Sequence, residues 1–194
     1  MKQLNIATNN AHKITEIRNI LPEFKIMGLK DLGILADIEE NGYTLEDNAL
    51  IKAKYLHRLT NEMSIGEDTG LEVKALSGEP GVKSARYAGP KCYANDNQNK
   101  LLHQLEGVQD RTARFRTVIA VVNRDGSFQI FEGKVNGQIS ESKRGTNGFG
   151  YDPIFIPDGY ELTFGEMAED EKNKMSHRAR AVEKLMEYFK ILDQ

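Results

Sequence analysis

The order of apolar and polar positions at the start of the chain predicts a strand, a turn and a helix. Leu4 to Ala7 form a short, mainly apolar run, and the polar residues 8–10 follow it directly. Beyond that turn, apolar residues recur at the spacing of one helix face. They are Ile14, Ile17, Ile20 and Leu21.

Three further helices are predicted from start and stop signals. Helices are expected to begin near Leu45 and after Ser176, and a shorter helix is expected to end at a glycine cap, Gly107. Two residue pairs match a capping box, Thr44 with Asp47 and Thr163 with Glu166. The apolar stripes on the three helices are Ala49, Ala53 and Leu56, then Leu101, Leu102 and Leu105, then Val182, Leu185, Met186 and Phe189.

The remaining apolar stretches predict strands. Ser64 to Gly66 and the alternating residues 71–75 are each expected to form one. Ala113 to Arg124, the Asp125-Gly126 pair and Ser127 to Gly133 together predict a long antiparallel hairpin with a two-residue turn. Because this hairpin interrupts the alternation of strands and helices, we expect an α/β fold with a mixed sheet.

Length and composition are those of a globular protein. The 194 residues, 39% hydrophobic and 28% charged, are expected to form a single domain over residues 1–194. No apolar run approaches the roughly 18 residues of a membrane span, and the polar N-terminus lacks a signal-peptide core. The only cysteine, Cys92, excludes an internal disulfide and a multi-cysteine metal cage. We therefore expect a cytoplasmic protein without membrane association.

The charge balance argues against nucleic acid as a partner. Lysine and arginine total 26, aspartate and glutamate total 29, and the formal net charge is -3. A protein that neutralises many duplex phosphates is normally basic. Any phosphate-bearing partner is therefore expected to be a small molecule held by a few cations and backbone amides.

The turn after the first strand is a candidate phosphate site. Thr8 to Lys13 offer backbone N–H groups at a helix start, small polar side chains and one ammonium group. A helix N-terminus favours anions because its first N–H groups lack intrahelical partners. The alternative is an ordinary helix start with an exposed lysine.

Two acidic segments are candidates for a metal site. Glu39-Glu40 precede Gly42, and Glu67-Asp68-Thr69-Gly70 follow the predicted strand at Ser64. Carboxylates that converge from separate strand ends suit an octahedral Mg²⁺ that bridges substrate phosphates. Solvated carboxylates at turns are the alternative.

Two further segments are candidates for a ligand pocket. Gly145 to Pro153 combine three glycines with Phe149 and Tyr151, which could stack on a flat ligand; the alternative is a connector whose aromatic residues fill the core. Near the C-terminus, Lys172 precedes Ser176-His177-Arg178. Two basic residues at a helix start oppose the helix dipole, and such local conflicts gather at functional sites, although both could be surface residues.

Six stretches in this order resemble the inosine triphosphate pyrophosphatase family, also called the Ham1-like or non-canonical purine NTP pyrophosphatases. They are Ala7 to Lys13, Thr44 to Ala53, Glu67 to Leu71, Gly78 to Gly89, Gly148 to Pro153 and Ser176 to Arg178. They extend from residue 7 to residue 178, so the resemblance covers nearly the whole chain.

This resemblance implies a Mg²⁺-dependent homodimer that hydrolyses ITP, dITP and XTP to the monophosphate and pyrophosphate. It implies Glu40 and Asp68 as metal ligands, with Asp68 also as the catalytic proton acceptor, and Lys52 is a further candidate for a phosphate contact. The triphosphate-binding residues that it implies are Thr8, Asn9, Asn10, Ala11, His12 and Lys13. The other substrate-binding residues that it implies are Thr69, Phe149, Gly150, Tyr151, Asp152, Lys172, His177 and Arg178.

The resemblance also implies a fold, an α/β structure with a long central mixed β-sheet, helices on both sides and two lobes around an active-site cleft. One departure is Glu67-Asp68-Thr69, where a common bacterial form has Asp-Asp-Ser. The change keeps both charges and the hydroxyl group, but it leaves open which carboxylates contact the metal.

Two other functions remain open at this point. One is a Maf-like nucleotide pyrophosphatase that acts on pyrimidine or modified nucleotides, against which the motifs at residues 148–153 and 176–178 argue. The other is a non-catalytic nucleotide-binding module, against which the joint presence of Lys13, Glu40 and Asp68 argues.

Overall fold

The computed structural model describes residues 2–192. Its helices are α1 (Ala11–Ile20), α2 (Leu45–Thr60), α3 (Ala94–Gln104), α4 (Glu169–Met175) and α5 (His177–Leu192). Its strands are β1 (Lys2–Ile6), β2 (Phe24–Met27), β3 (Ser64–Val73), β4 (Thr112–Val122), β5 (Phe128–Ile139) and β6 (Phe155–Pro157). Within the described residues, the six strands form one sheet in the order β2-β1-β3-β4-β5-β6.

The sheet is mixed, as the sequence predicts. Strand β1 pairs in parallel with β2 on one side, where Lys2 lies opposite Phe24, and with β3 on the other, where Ile6 lies opposite Ile65. Strands β5 and β6 are antiparallel, with Ile139 opposite Phe155. With helices around it, the sheet confirms the expected α/β fold.

The chain forms two compact units. The first consists of the segments up to Asp68, from Thr117 to Gly133 and from Arg178 onward. Helices α1 and α5 cover its strands, and an aliphatic core includes Ile6, Ile17 and Leu185. Buried residues recur every three or four positions along α5 and form the helix face that packs on the strands, as its apolar stripe predicts.

The second unit consists of Thr69–Arg116 and Lys134–His177. Its core is aromatic: Phe115 contacts Phe155 with ring centroids 4.7 Å apart, and Phe164 packs against both rings. Leucines of α3 complete this core, which agrees with the stripe predicted for that helix. No helix among residues 2–192 combines the length and apolarity needed to cross a membrane.

The hairpin is correctly predicted but its turn is not the predicted two-residue type. Asn123 and Ser127 close a three-residue loop, in which the Asn123 N–H donates to the Ser127 carbonyl at 2.8 Å and the Gly126 N–H donates to the Asn123 carbonyl at 3.0 Å. Gly126 adopts a φ of 82°, as the last residue of such a loop requires. Asp125 accepts two hydrogen bonds from Ser127, which favours the longer loop.

The pair Thr163 and Glu166 does not begin a helix. The Thr163 N–H donates to Glu166 Oε2 at 2.8 Å, as in a capping box, but residues 164–166 form an isolated turn. Helix α4 begins only at Glu169. The hydrogen bond of a capping box therefore forms here at an isolated turn and not at a helix start.

Candidate active site

The predicted phosphate-binding turn lies at the carboxyl end of β1, between β1 and α1. Thr8 Oγ1 accepts a hydrogen bond from the Asn10 N–H at 3.1 Å, and Asn10 Oδ1 caps α1 by accepting from the Lys13 N–H at 3.2 Å. Strand β1 has parallel neighbours on both sides, and such switch points are where open α/β sheets bind ligands. Asn9, Ala11 and His12 complete the turn and the first residues of α1.

Strand β3 runs past this turn and carries Glu67 and Asp68. The sequence predicts these carboxylates at a strand end, but β3 is continuous from Ser64 to Val73. Both side chains are almost fully buried, with residue exposures of 1% and 6%. Burying two carboxylates inside a strand requires charge partners, and the next contacts supply them.

Helix α2 approaches β3 closely because Gly66 has no side chain. A Cβ atom on Gly66 would lie 1.9 Å from the Ala49 carbonyl oxygen and 2.6 Å from the Ala53 nitrogen. Ala49 and Ala53 are themselves fully buried. This close packing brings polar side chains of α2 to Asp68, two residues along β3.

Two residues of α2 hold the Asp68 carboxylate. Lys52 Nζ lies 2.9 Å from Asp68 Oδ1, and Asn48 Nδ2 donates to Asp68 Oδ2 at 3.2 Å. The same Lys52 ammonium lies 3.1 Å from Glu40 Oε1. Glu40 and Asp68, distant in sequence, therefore converge on one cationic centre, the Lys52 ammonium group.

Burial and charge shift the ionisation of this group of residues. Burial and the nearby Glu40 carboxylate hold the pKa of Asp68 above its ordinary value, although Lys52 and Lys13 lower it. Burial lowers the pKa of Lys52, but Asp68 and Glu40 outweigh that effect and hold the pKa above its ordinary value. Lys52 is therefore an ammonium ion at neutral pH.

Glu67 holds a second ion-pair network. Lys13 Nζ lies 2.8 Å from Glu67 Oε2, and Arg178 Nη2 lies 3.0 Å from Glu67 Oε1. Arg178 also pairs with Glu16 of α1. Glu67 and Glu16 raise the pKa of Arg178 although burial lowers it. The apparent conflict between Arg178 and the dipole of α5 is thus resolved by two carboxylates.

Arg178 is therefore a buried residue and not a surface residue. It belongs to the first unit, whereas His177 belongs to the second, where its ring stacks on Phe115 with centroids 4.7 Å apart. The resemblance assigns both residues to one purine pocket. Their contacts within each unit differ, although they are consecutive in sequence.

The second unit contains a compact polar cluster around Asp152. Lys172 Nζ lies 2.6 Å from Asp152 Oδ2, which also accepts from the Phe149 N–H at 2.8 Å. The Lys172 ammonium lies 5.1 Å from the centre of the Phe149 ring. Asp152 and Lys172 are each 3% exposed. The fold thus joins three residues that the sequence places in two separate motifs.

The neighbouring residues of this loop are anchored as well. The Tyr151 hydroxyl donates to the Ser84 carbonyl at 2.9 Å, and burial raises the pKa of Tyr151. Gly150 accepts a hydrogen bond from Gln98 of α3. Of the two aromatic residues proposed for stacking, Tyr151 is buried in the core and Phe149 is only half-buried. Thr69, also half-buried, is the first residue of this unit on β3.

Two carboxylates of the first unit fit a Mg²⁺ ion whose remaining ligands would be substrate phosphates and water. Mg²⁺ is commonly held by one or two protein carboxylates together with phosphates and water. Glu40 and Asp68 meet that requirement, since both reach the position of one ammonium group. Among the described residues, no group of three or more His, Cys, Asp or Glu side chains forms a metal cage.

Three further residues contact the site residues but were not assigned a role by the sequence motifs. Asn48 contacts Asp68, Glu16 contacts Arg178, and Gln98 contacts Gly150. Asn48 and Lys52 are one helical turn apart beside the buried alanines of α2. The sequence feature that could have identified Asn48 is its position as a polar residue beside the apolar stripe of α2.

Comparison with known proteins identifies the family to which this arrangement belongs. A model of the Ham1 family matches residues 4–188. The chain belongs to the Ham1 family. A dITP/XTP pyrophosphatase of Porphyromonas gingivalis is 49% identical over 190 residues, which are 97% of each chain. One of Thermoanaerobacter pseudethanolicus is 50% identical over 187 residues, 94% of each chain.

Solved structures of Ham1 proteins have the same fold. The Staphylococcus aureus Ham1 protein superposes with a TM-score of 0.88 at 39% identity and covers 97% of this chain and 98% of its own. A structure from Mycobacterium abscessus, described as a nucleoside-triphosphatase or dITP/XTP pyrophosphatase, gives a TM-score of 0.77 at 36% identity, covering 94% and 97% of the two chains. This Ham1 chain therefore shares fold and length with those relatives.

Proposed function

We propose that this Ham1 protein hydrolyses dITP, XTP and ITP to the nucleoside monophosphate and pyrophosphate and so removes non-canonical purines from the nucleotide pool. Curated relatives that are about half identical over their full length bear the name dITP/XTP pyrophosphatase. The observation that carries the proposal is the buried Asp68, which lies on β3, the strand that passes the Thr8–Lys13 turn. The Lys52 ammonium group contacts both Asp68 and Glu40. Carboxylates, cations and helix-terminal amides together suit phosphoanhydride cleavage, which depends on positioning and charge neutralisation.

In this proposal, Asp68 accepts the proton of the attacking water. Asn48 and Lys52 each donate to one of the two carboxylate oxygens, at 3.2 Å and 2.9 Å. The water attacks the α-phosphorus, and the bond to the bridging oxygen breaks, so that pyrophosphate leaves.

Lys13 and the amides of the turn hold the triphosphate. Lys13 pairs with Glu67 at 2.8 Å and is 14% exposed, so its ammonium group is already positioned beside the turn. The helix-terminal N–H groups of α1 add the favourable dipole of a helix N-terminus. Lys52 adds a second cation that neutralises charge next to Asp68.

Glu40 and Asp68 would hold the Mg²⁺ ion. When bound, this ion neutralises phosphate charge and favours departure of pyrophosphate. The two carboxylates supply hard oxygen ligands, which Mg²⁺ prefers. We infer from the same contacts that Glu67 is a partner of Lys13 and Arg178 rather than a metal ligand.

We assign base selection to the Asp152 cluster of the second unit and to His177 of the same unit. Phe149 is the proposed stacking residue, and Lys172 and His177 are the proposed donors to the base. Hypoxanthine and xanthine carry a keto acceptor at position 6, where adenine carries an amino donor. A fixed donor there leaves ATP with two facing donors, which costs about 1 to 3 kcal/mol. Thr69, Gly150, Tyr151 and Asp152 complete the proposed substrate residues, together with Arg178.

We further propose a cytoplasmic homodimer. Two-fold dimers are the commonest closed assemblies of soluble proteins. The exposed free thiol of Cys92 suits a reducing compartment. Sedimentation at micromolar concentration should give about twice the chain mass of 21.9 kDa, and a species of single chain mass would contradict the dimer.

Product analysis with a substrate panel tests the catalytic proposal. Wild-type protein with Mg²⁺ should release pyrophosphate and monophosphate from dITP and XTP far faster than from ATP, UTP or CTP. A preference for pyrimidine nucleotides would favour a Maf-like enzyme. Binding of dITP without turnover at catalytic protein concentration would favour a nucleotide-binding module.

A further inference from the structure

Asn48 of α2 is fully buried and uses both ends of its side-chain amide. Its exposure is 0%. Oδ1 accepts a hydrogen bond from the Gly42 N–H at 2.9 Å, and Nδ2 donates to Asp68 Oδ2 at 3.2 Å. One side chain therefore connects the segment before α2 with the carboxylate on β3.

The backbone fixes the orientation of this amide. A backbone N–H can only donate, so the side-chain atom that faces Gly42 must be the acceptor, Oδ1. The donor, Nδ2, then faces Asp68, whose second oxygen is held by Lys52. Each oxygen of the Asp68 carboxylate thus has its own donor from α2.

The hydrogen bond between Gly42 and Asn48 requires a glycine at position 42, because a side chain there would collide with α2. A Cβ atom at Gly42 would lie 2.6 Å from Asn48 Oδ1 and 2.6 Å from Asp47 Cβ. Glu40 lies two residues before Gly42 and reaches Lys52 from the same segment. The capping box of Thr44 and Asp47 fixes the helix start between Gly42 and Asn48. The segment that carries Glu40 is therefore tied to α2 by the Gly42–Asn48 bond.

We propose that Asn48 is a positioning residue that orients the Asp68 carboxylate and ties the Glu40 segment to it. Loss of either hydrogen bond would leave a buried polar group without its partner. The bond to Gly42 and the bond to Asp68 therefore stabilise the same orientation of the Asn48 amide. This inference rests on the proposed catalytic role of Asp68. Asn48 itself touches Asp68 and Gly42, and it acts on the reaction through them.

Replacement of Asn48 by aspartate separates the effects of its two hydrogen bonds. Asn48→Asp keeps an oxygen acceptor for the Gly42 N–H but places a second oxygen against Asp68 Oδ2. We expect kcat for dITP to fall by at least about tenfold while KM changes by less than about threefold, because a misplaced catalytic group affects turnover more than binding.

A matched control exists on α3 in the second unit. Asn97 is 4% exposed, its Oδ1 accepts from the Ala88 N–H, and its Nδ2 donates to the Ala85 carbonyl at 2.9 Å, so it also ties a segment to a helix but contacts no carboxylate. Asn97→Asp should lower the melting temperature to a similar extent and leave kcat within about threefold of wild type. Equal losses of kcat in the two aspartate variants would show a general effect of destabilisation and overturn the proposal.

Hydrogen exchange of the Gly42 amide provides a readout without substrate. Asn48→Leu removes both bonds and should accelerate exchange at Gly42 by at least about tenfold, whereas Asn48→Asp should leave it near the wild-type rate. Unchanged exchange in Asn48→Leu would overturn the tie to the Glu40 segment. If either variant fails to fold, Asn48→Ser must show both the kcat loss and the faster exchange, because its hydroxyl is too short to reach both partners; otherwise the proposal is wrong.

The outcomes also separate this inference from the proposed function. Absence of dITP turnover by the wild type would contradict the function, whatever the exchange data show. Normal wild-type turnover with a kcat for Asn48→Asp within about threefold of it would contradict the role of Asn48 alone.

Discussion

At the scale of single residues, Arg178 shows how this fold accommodates charge in its interior. It is one of the largest side chains that the described structure buries completely, with an exposure of 1%. Glu16 and Glu67 neutralise it, and Glu67 also binds Lys13. Removing one member of a buried ion network leaves an uncompensated charge, so each member depends on the others.

Arg178→Ala is therefore expected to destabilise the protein strongly. Two buried carboxylates would lose their shared partner, which costs about 3 to 5 kcal/mol and corresponds to a decrease of about 10 °C in Tm. Thermal unfolding followed by circular dichroism measures this. Arg180→Ala, at an exposed position of the same helix, is the control and should change Tm by less than about 2 °C. Similar Tm values for both variants would contradict a buried network.

Asp68→Asn tests the proposed proton acceptor. The change keeps the shape of the side chain but removes its charge, so it should reduce kcat by at least about a hundredfold while the fold persists. Pyrophosphate release from dITP at saturating Mg²⁺ is the measurement, and near-UV circular dichroism checks the fold. Activity within about threefold of wild type would falsify the proposed role of Asp68.

At the scale of secondary structure, the contact between β3 and α2 brings Asn48 and Lys52 to Asp68. Gly66 permits the backbones to approach, and Asn48 and Lys52 then reach Asp68 from successive turns of α2. The sequence predicts the beginning of α2 correctly, because the Thr44–Asp47 capping box forms with both of its hydrogen bonds. That signal is local, and local signals can be read from sequence.

Contacts between residues that are distant in sequence carry no such local signal. Glu67 and Asp68 in a row suggest a solvated turn between two strands, but Lys52 and Arg178 allow the strand to continue through both carboxylates. The motifs themselves indicate which residues belong to a site. They do not show that Arg178 pairs with Glu16, since 162 positions separate the two residues.

Gly66→Ala tests the β3–α2 contact. A methyl group would collide with the Ala49 carbonyl, so the helix must move away, at a cost of about 1 to 3 kcal/mol, and carry Asn48 and Lys52 with it. We expect lower Tm and a larger loss of kcat than in Gly126→Ala, where a Cβ atom meets nothing within 4 Å and only the φ of 82° is unfavourable. Equal kcat values for the two variants would contradict the positioning role of this contact.

At the scale of the whole molecule, the two compact units contain different groups of candidate site residues. The first contains the proposed phosphate-binding turn, Glu40, Lys52 and Asp68, and the second contains Phe149, Asp152, Lys172 and His177. Membership of the Ham1 family and the identity to dITP/XTP pyrophosphatases over nearly the full length support one reaction for the whole chain. In our account, that reaction is attack of water on the α-phosphorus with pyrophosphate as the leaving group.

The position of attack can be measured directly by hydrolysing dITP in water enriched in the heavy oxygen isotope. Mass spectrometry of the products then shows which of them received the oxygen of water. We predict that the label appears in the deoxyinosine monophosphate and that the pyrophosphate is unlabelled. Label in the pyrophosphate, or release of orthophosphate and a nucleoside diphosphate, would contradict the account.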